Sequence, residues 1–267
     1  MQRFEKIILN IPHSSDRMLP RRTEAADGTR GPEWLPDVAL ASSQKNSAGL
    51  PSVSGWTDPA AIAKEVRRWT DWYTDSMFRP DADLAGRVVP VVFGLSRFCI
   101  DVERLLDDPL NAAGQGILYE RFGDCRRLIS GRTALMNEYH GFISRLSSEL
   151  APGSLIIDCH SFPSDLADID ICIGYNDDAS KPEQEMIDKA THLFDRAGYK
   201  VGLNNPYSNS ISIAWYWHKR ISPCVKSGVS FTKSLWGVSG KALFAHSDDE
   251  EYVSRPFTSC CLSAFPW

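Results

Sequence analysis

No Cys-x-x-Cys pair occurs in the 267 residues, although cysteine stands at Cys99, Cys125, Cys159, Cys172, Cys224, Cys260 and Cys261. An odd number of thiols, several within apolar runs, excludes a disulfide scaffold and predicts free, buried cysteines. Basic residues are in deficit: 29 Lys and Arg against 34 Asp and Glu leave a formal net charge of -5. That balance supplies no cationic face for phosphate, which argues against nucleic-acid binding. No apolar run is long enough to span a bilayer. Met1-Gln2-Arg3-Phe4-Glu5-Lys6 leads directly into a short strand with no leader pattern, so a soluble cytoplasmic protein is expected, with no membrane partner. No Gly/Ser-rich or charge-rich linker divides the chain and no internal repeat is visible, so residues 1–267 are read as one domain large enough for a substantial core.

What the chain does have is a pair of apolar runs that end in histidine. Leu155-Ile156-Ile157-Asp158-Cys159-His160-Ser161-Phe162-Pro163 reads as a buried central strand that delivers polar side chains at its C-terminal edge, where open α/β sheets place their chemistry. Ile7-Ile8-Leu9-Asn10-Ile11-Pro12-His13-Ser14-Ser15-Asp16 has the same grammar. For either histidine alone, a hydrogen-bonded loop residue is as good a reading as a ligand. The pair in matching contexts, far apart in sequence, points to one metal site assembled across a sheet.

Between and beyond these strands the pattern alternates. Residues 17–56 are rich in Pro, Gly, Ser, Arg and Asp without periodicity, a length that suits a loop covering part of a site. From Asp58, Ile62, Val66, Trp69, Tyr73, Met77 and Phe78 recur at spacings of three and four, predicting one helix with Asp71 and Asp75 a turn apart on one face. Arg87 to Gly94 reads as a strand with an irregularity at Pro90. Arg97, Asp101 and Arg104 then offer charge to a pocket, with guanidinium groups suited to two-point recognition of a carboxylate. A long helix is expected over about 119–150, interrupted near Gly131, with His140 beside its apolar stripe in a structural role. Strands at Asp168–Gly174 and Tyr199–Leu203 flank a helix over Lys181–Ala197 that Gly198 ends. Strands interleaved with helices predict an α/β fold on a mainly parallel sheet.

Five segments, in order, resemble the N-formylglutamate amidohydrolase family: Ile11-Pro12-His13-Ser14-Ser15, Trp69-Thr70-Asp71-Trp72-Tyr73-Thr74-Asp75, Ser96-Arg97-Phe98-Cys99-Ile100-Asp101-Val102-Glu103-Arg104, Ile157-Asp158-Cys159-His160-Ser161 and Asn205-Pro206-Tyr207. The resemblance covers roughly residues 1–210. It implies a three-layer α/β sandwich with a mixed, mainly parallel central sheet, like that of the zinc exopeptidases and phosphorylase/hydrolase-like proteins. It also implies a zinc-dependent hydrolase of the amide C–N bond in a small, acidic N-acyl amino acid, with one Zn²⁺ per chain. His13 and His160 become metal ligands, and two histidines with a carboxylate leave a coordination position open for water. Asp16, three residues after His13, and Asp71, within a matched motif, compete for the carboxylate. Arg97 resembles the arginine that would stabilise a tetrahedral oxyanion. Asp101 and Asp158 would orient an arginine or a ligand histidine, and Arg104, Asn205 and Ser161 would bind substrate.

In one place the chain departs from the family pattern. The family's late strand carries a glutamate resembling the general base of the carboxypeptidases, but Val229-Ser230-Phe231-Thr232-Lys233-Ser234-Leu235-Trp236 holds no acid, and Ser230 or Ser234 takes its place. A serine cannot take a proton from water as a carboxylate does, and loss of such a base costs about 10²–10⁴-fold in rate. Asp248-Asp249-Glu250-Glu251 is read as a solvated turn rather than a substitute base. Two further readings therefore stand beside the amidohydrolase: a binding or regulatory protein that keeps the pocket without turnover, and a hydrolase of peptide-like amides.

Overall fold

β1 (Lys6–Ile11) and β5 (Ser154–Phe162) lie side by side and parallel in the middle of a six-stranded sheet. Both are apolar on both faces, as a strand covered on its two sides must be. A computed structural model describes residues 4–17, 21–22, 32–33, 59–106, 108–113, 115–119, 129–150, 153–177, 181–208 and 232–239. With β4 (Val88–Val92), β6 (Ile171–Gly174), β7 (Val201–Leu203) and β8 (Thr232–Ser239), the strand order is β4-β1-β5-β8-β6-β7. β4, β1, β5 and β8 run parallel. β6 is antiparallel to β8 and parallel to β7, so the α/β sheet is mixed and mainly parallel.

Alternate residues of the central strands feed two separate clusters. Ile7, Leu9, Leu155 and Ile157 pack with Met186, Ala190 and Phe194 of α4 (Gln184–Arg196). Ile8 and Ile156 pack on the other side with Tyr139, Phe142, Ile143 and Leu146 of α3 (Ile129–Glu149). The period of two on each strand and of three or four on each helix accounts for this partition. Phe142 is 1% exposed, so truncation to alanine should cost about 3–5 kcal/mol. α4 closes with Gly198 at φ +90°. Tyr199 N–H donates to the Phe194 carbonyl, Gly198 N–H to that of Asp195, and the Phe194 and Tyr199 rings touch across the turn.

Several expectations are corrected. α3 runs unbroken through Gly131, because one glycine costs only about 1 kcal/mol against the apolar face that the helix buries. Pro90 does not disrupt its strand, since β4 is an edge where a missing N–H is tolerated. β6 begins at Ile171, not Asp168, because the Asp170 carboxylate accepts the Lys200 N–H ahead of the ladder.

The predicted helix from Asp58 is two: α1 (Pro59–Trp69) and α2 (Thr74–Met77). Asp71 N–H, which would have continued α1, donates to the His13 carbonyl at 2.9 Å. The Trp72 indole takes the freed Arg67 carbonyl at 2.7 Å, and Tyr73 adopts φ +64°. The break separates the two acids: Asp71 is buried and Asp75 exposed.

Within 17–56 a small antiparallel pair joins β2 (Arg21–Arg22) to β3 (Pro32–Glu33). Ser230, the acidic run at 248–251 and Cys260-Cys261 lie outside the described residues. Cys159 and Cys172 are free and buried, Cys99 is free and partly buried, and no described helix is long and apolar enough to cross a membrane.

Candidate functional site

The C-terminal ends of β1 and β5 carry His13 and His160, whose rings stand 5.4 Å apart, centre to centre. Pro12 and His13 follow directly on β1, while His160 is still paired within the sheet, level with Gly237 of β8. Two loops close over them. The break between α1 and α2 contributes Asp71, and the turns after β4 contribute Arg97, Asp101, Glu103 and Arg104.

Each histidine has one nitrogen fixed by an aspartate. Asp101 Oδ1 accepts from His13 Nε2 at 2.9 Å, and Asp71 Oδ2 accepts from His160 Nδ1 at 2.8 Å. Those bonds set the tautomers and turn the remaining nitrogens, His13 Nδ1 and His160 Nε2, toward Glu103. Glu103 Oε1 lies 3.1 Å from His160 Nε2 and Oε2 lies 3.7 Å from His13 Nδ1. His13 Nδ1 is buried and has no hydrogen-bond partner among the described residues; Asp71 Oδ2, also 3.7 Å away, is too distant for one.

His13, Glu103 and His160 offer ligand atoms within 4.8 Å of one another. Two imidazoles and a carboxylate, with a buried ring nitrogen that lacks a partner among the described residues, are a set of side chains that could hold a metal ion. Of the carboxylates that compete in the sequence, Asp71 bonds the outer nitrogen of His160, and Asp16 is exposed on the loop after β1.

The charges are tightly interlocked. Burial and the Arg97 cation push the His13 pKa down, but Asp101, aided by Asp71, outweighs them and the net shift is upward. Burial likewise opposes protonation of His160, and Glu103 and Asp71 drive its pKa well above the ordinary value. Burial raises and the histidines lower the pKa values of the facing carboxylates. Asp71 ends well below the usual range, and Glu103 is held to about 2. Asp101 is also depressed, because Arg97, His13 and Arg104 together overcome its burial. Without a cation between them, both histidines therefore favour the charged form.

Arg97 Nη2 donates to Asp101 Oδ2 at 3.0 Å. The Arg104 guanidinium is placed more loosely, with Nε 3.7 Å from Asp101 and Nη1 3.8 Å from Asp108, while the Arg104 carbonyl accepts the Tyr139 hydroxyl at 2.9 Å. Ser161 Oγ donates to Asp71 Oδ1 at 3.3 Å. Asp158 is buried one step below the site, accepting from Asn10 Nδ2 across the β1–β5 register at 2.9 Å. Asn205 is exposed on the loop after β7. His140 is exposed on α3, its ring edge-on to Tyr139 and away from the cluster.

Sequence reasoning did not single out Glu103. Its spacing from Asp101 would put the two acids on the same side of an extended chain, but this segment is a series of turns. Glu103 N–H donates to Asp101 Oδ1 at 3.0 Å, a local bond that no periodicity announces. Ser234 pairs with Ile157, three residues before His160, and the β8 residues level with His160, Ser161 and Phe162 are Gly237, Val238 and Ser239. None of these is an acid.

The family model for N-formylglutamate amidohydrolase matches residues 40–225. Among solved structures, the chain is similar to an N-formylglutamate amidohydrolase from Ralstonia eutropha JMP134, at 14% identity and a TM-score of 0.53, covering 98% of this chain and 93% of that one. It is also similar to a gene product of Agrobacterium tumefaciens, at 15% identity and a TM-score of 0.52, covering 97% and 90%. Among curated proteins none matches the chain by sequence.

Proposed function

The chain belongs to the N-formylglutamate amidohydrolase family, and from that premise we propose that it is a zinc-dependent amidohydrolase cleaving the amide C–N bond of an N-formyl or other N-acyl amino acid such as N-formylglutamate. The fold is read as the zinc-exopeptidase-like three-layer sandwich. The observation that carries the reading is the convergence of His13 Nδ1, His160 Nε2 and the Glu103 carboxylate, with each outer histidine nitrogen held by an aspartate. Outer partners of this kind orient the rings and raise their basicity, and among the described residues His13 Nδ1 has no hydrogen-bond partner.

His13, Glu103 and His160 would hold the ion. A bound zinc supplies a water whose pKa falls to about 7 and polarises the substrate carbonyl. Asp101 fixes both His13 and Arg97, so that the guanidinium is preorganised to receive the charge that develops on the carbonyl oxygen. Arg104, whose carboxylate neighbours stand beyond hydrogen-bond distance, has donors to offer the substrate α-carboxylate. Asp71 holds His160 and takes the Ser161 hydroxyl, which keeps this wall of the site rigid.

One observation favours a second reading. β8 brings no acid to the level of His160, and Asp71 and Asp101 are both occupied by donors and strongly ionised. A protein with these features can bind an N-acyl amino acid without turning it over. Metal content per chain, by inductively coupled plasma mass spectrometry, together with hydrolysis of N-formyl amino acids tests both. About one zinc per chain with turnover supports the enzyme. Binding without turnover supports the second reading, and the lack of zinc after loading overturns the enzyme and leaves the binding protein.

A further inference from the structure

Glu103 stands between the two histidines because the chain on both sides of it is held. Ile100 and Val102 are buried in the same apolar cluster as Tyr139, Phe142 and Ile143 of α3, which presses the turns at 97–104 against that helix. Ahead of Glu103, Asp101 N–H donates to the Ile117 carbonyl at 2.8 Å, and Glu103 N–H donates to Asp101 Oδ1 at 3.0 Å. Behind it, the Arg104 carbonyl accepts the Tyr139 hydroxyl at 2.9 Å. Tyr139 is 1% exposed, so this bond forms in the interior.

Packing accounts for an aromatic ring at position 139, but not for its hydroxyl. Phenylalanine, which stands three residues further along α3 at Phe142, would fill the cluster without a polar group to bury. A buried phenol takes a hydrogen-bond partner, and here the partner is the carbonyl of the residue that follows Glu103. The Glu103 carboxylate lies 3.1 Å from His160 Nε2 and 3.7 Å from His13 Nδ1, so a small rotation of this turn would carry it away from one ring or the other. Metal-binding side chains keep their geometry only where the backbone beneath them is fixed. We propose that Tyr139 is a positioning residue: its hydroxyl, acting through the Arg104 carbonyl, sets where the Glu103 carboxylate stands between His13 and His160 and thereby the affinity of the site for its metal ion. This rests on the metal-site reading above.

The test compares Tyr139→Phe, which removes one oxygen and keeps the ring, with Phe142→Leu, which thins the same cluster without touching a hydrogen bond. Zinc affinity is read by chelator competition and the stability of the zinc-free proteins by thermal melts. Tyr139→Phe should weaken zinc binding about 10-fold, whereas Phe142→Leu should stay within about twofold although it lowers the melting temperature at least as much. In a Glu103→Asp background, whose shorter side chain already withdraws the carboxylate, Tyr139→Phe should cost less affinity than it does alone. Unchanged affinity in Tyr139→Phe, equal losses in the two single variants, strict additivity with Glu103→Asp, or a Tyr139→Phe chain that does not fold overturns the role of Tyr139 and leaves the metal-site reading standing. An unsubstituted protein that takes up no zinc overturns that reading, and the Tyr139 proposal with it.

Discussion

The helix break at 70–73 and the turns at 97–104 both bring a carboxylate to His160, but to opposite nitrogens of its ring. Asp71 meets Nδ1 at 2.8 Å and Glu103 meets Nε2 at 3.1 Å. Both carboxylates also stand 3.7 Å from His13 Nδ1, but the Asp71 oxygens are occupied by Ser161 and by the outer nitrogen of His160, whereas Glu103 faces the inner nitrogens of both rings. Position around the ring, rather than closeness to a histidine, separates a ligand from a residue that orients a ligand. The same distinction holds on the other histidine, where Asp101 occupies the outer nitrogen and spends its second oxygen on Arg97.

Substitution of the two acids breaks or sharpens that contrast. Glu103→Ala removes a charged donor and should leave the purified protein without stoichiometric zinc and without activity, by mass-spectrometric metal analysis and by hydrolysis assay. Asp71→Asn leaves the donor set intact and should weaken zinc binding by about 10–100-fold, a loss that chelator competition would resolve. If Asp71→Asn strips the metal while Glu103→Ala retains it, the two roles are exchanged.

A smaller effect concerns protons. Both histidine pKa values are raised in the folded chain without a cation. For each, the stabilising contribution is fully present below the unfolded value of about 6.5 and is lost as pH rises through the raised folded value. The carboxylates behave oppositely. Their contribution is present above the ordinary carboxylate range and is lost as pH falls through the depressed values, for Glu103 toward about 2. The metal-free protein should therefore lose stability on going alkaline, in thermal melts from pH 6 upward. Zinc uptake should release more protons at pH 6 than at pH 9, read from the buffer dependence of the calorimetric enthalpy; release that does not change with pH would mean the histidines do not titrate over that range. The smallest expected effect is that of Asp16→Ala. Asp16 is exposed on its loop, so zinc content should be unchanged and stability should move by no more than about 0.5 kcal/mol.

Much of the frame was legible because its signals are local. Apolar runs ending at Ile11 and Phe162, the three-and-four spacing of Tyr139, Phe142, Ile143 and Leu146, and Gly198 after α4 each depend on neighbours within a few residues. The break at Asp71 was not legible. It exists because the His13 carbonyl, 58 positions earlier in the chain, takes the N–H that α1 would have used. A distant acceptor leaves no periodicity behind.

By itself the sequence determined the strand-end histidines, the alternation of strands and helices, and an ordered set of segments sufficient to indicate the family. Tertiary structure decided which carboxylate faces which nitrogen, that β8 lies between β5 and β6 with Gly237 beside His160, and that Asp16 stays at the surface. The physical reason is that side-chain type and periodicity follow from covalent order, whereas ring tautomer, ligand geometry and charge balance depend on groups far apart in the chain, such as Asp71 and His160 at 89 positions, meeting within hydrogen-bond distance.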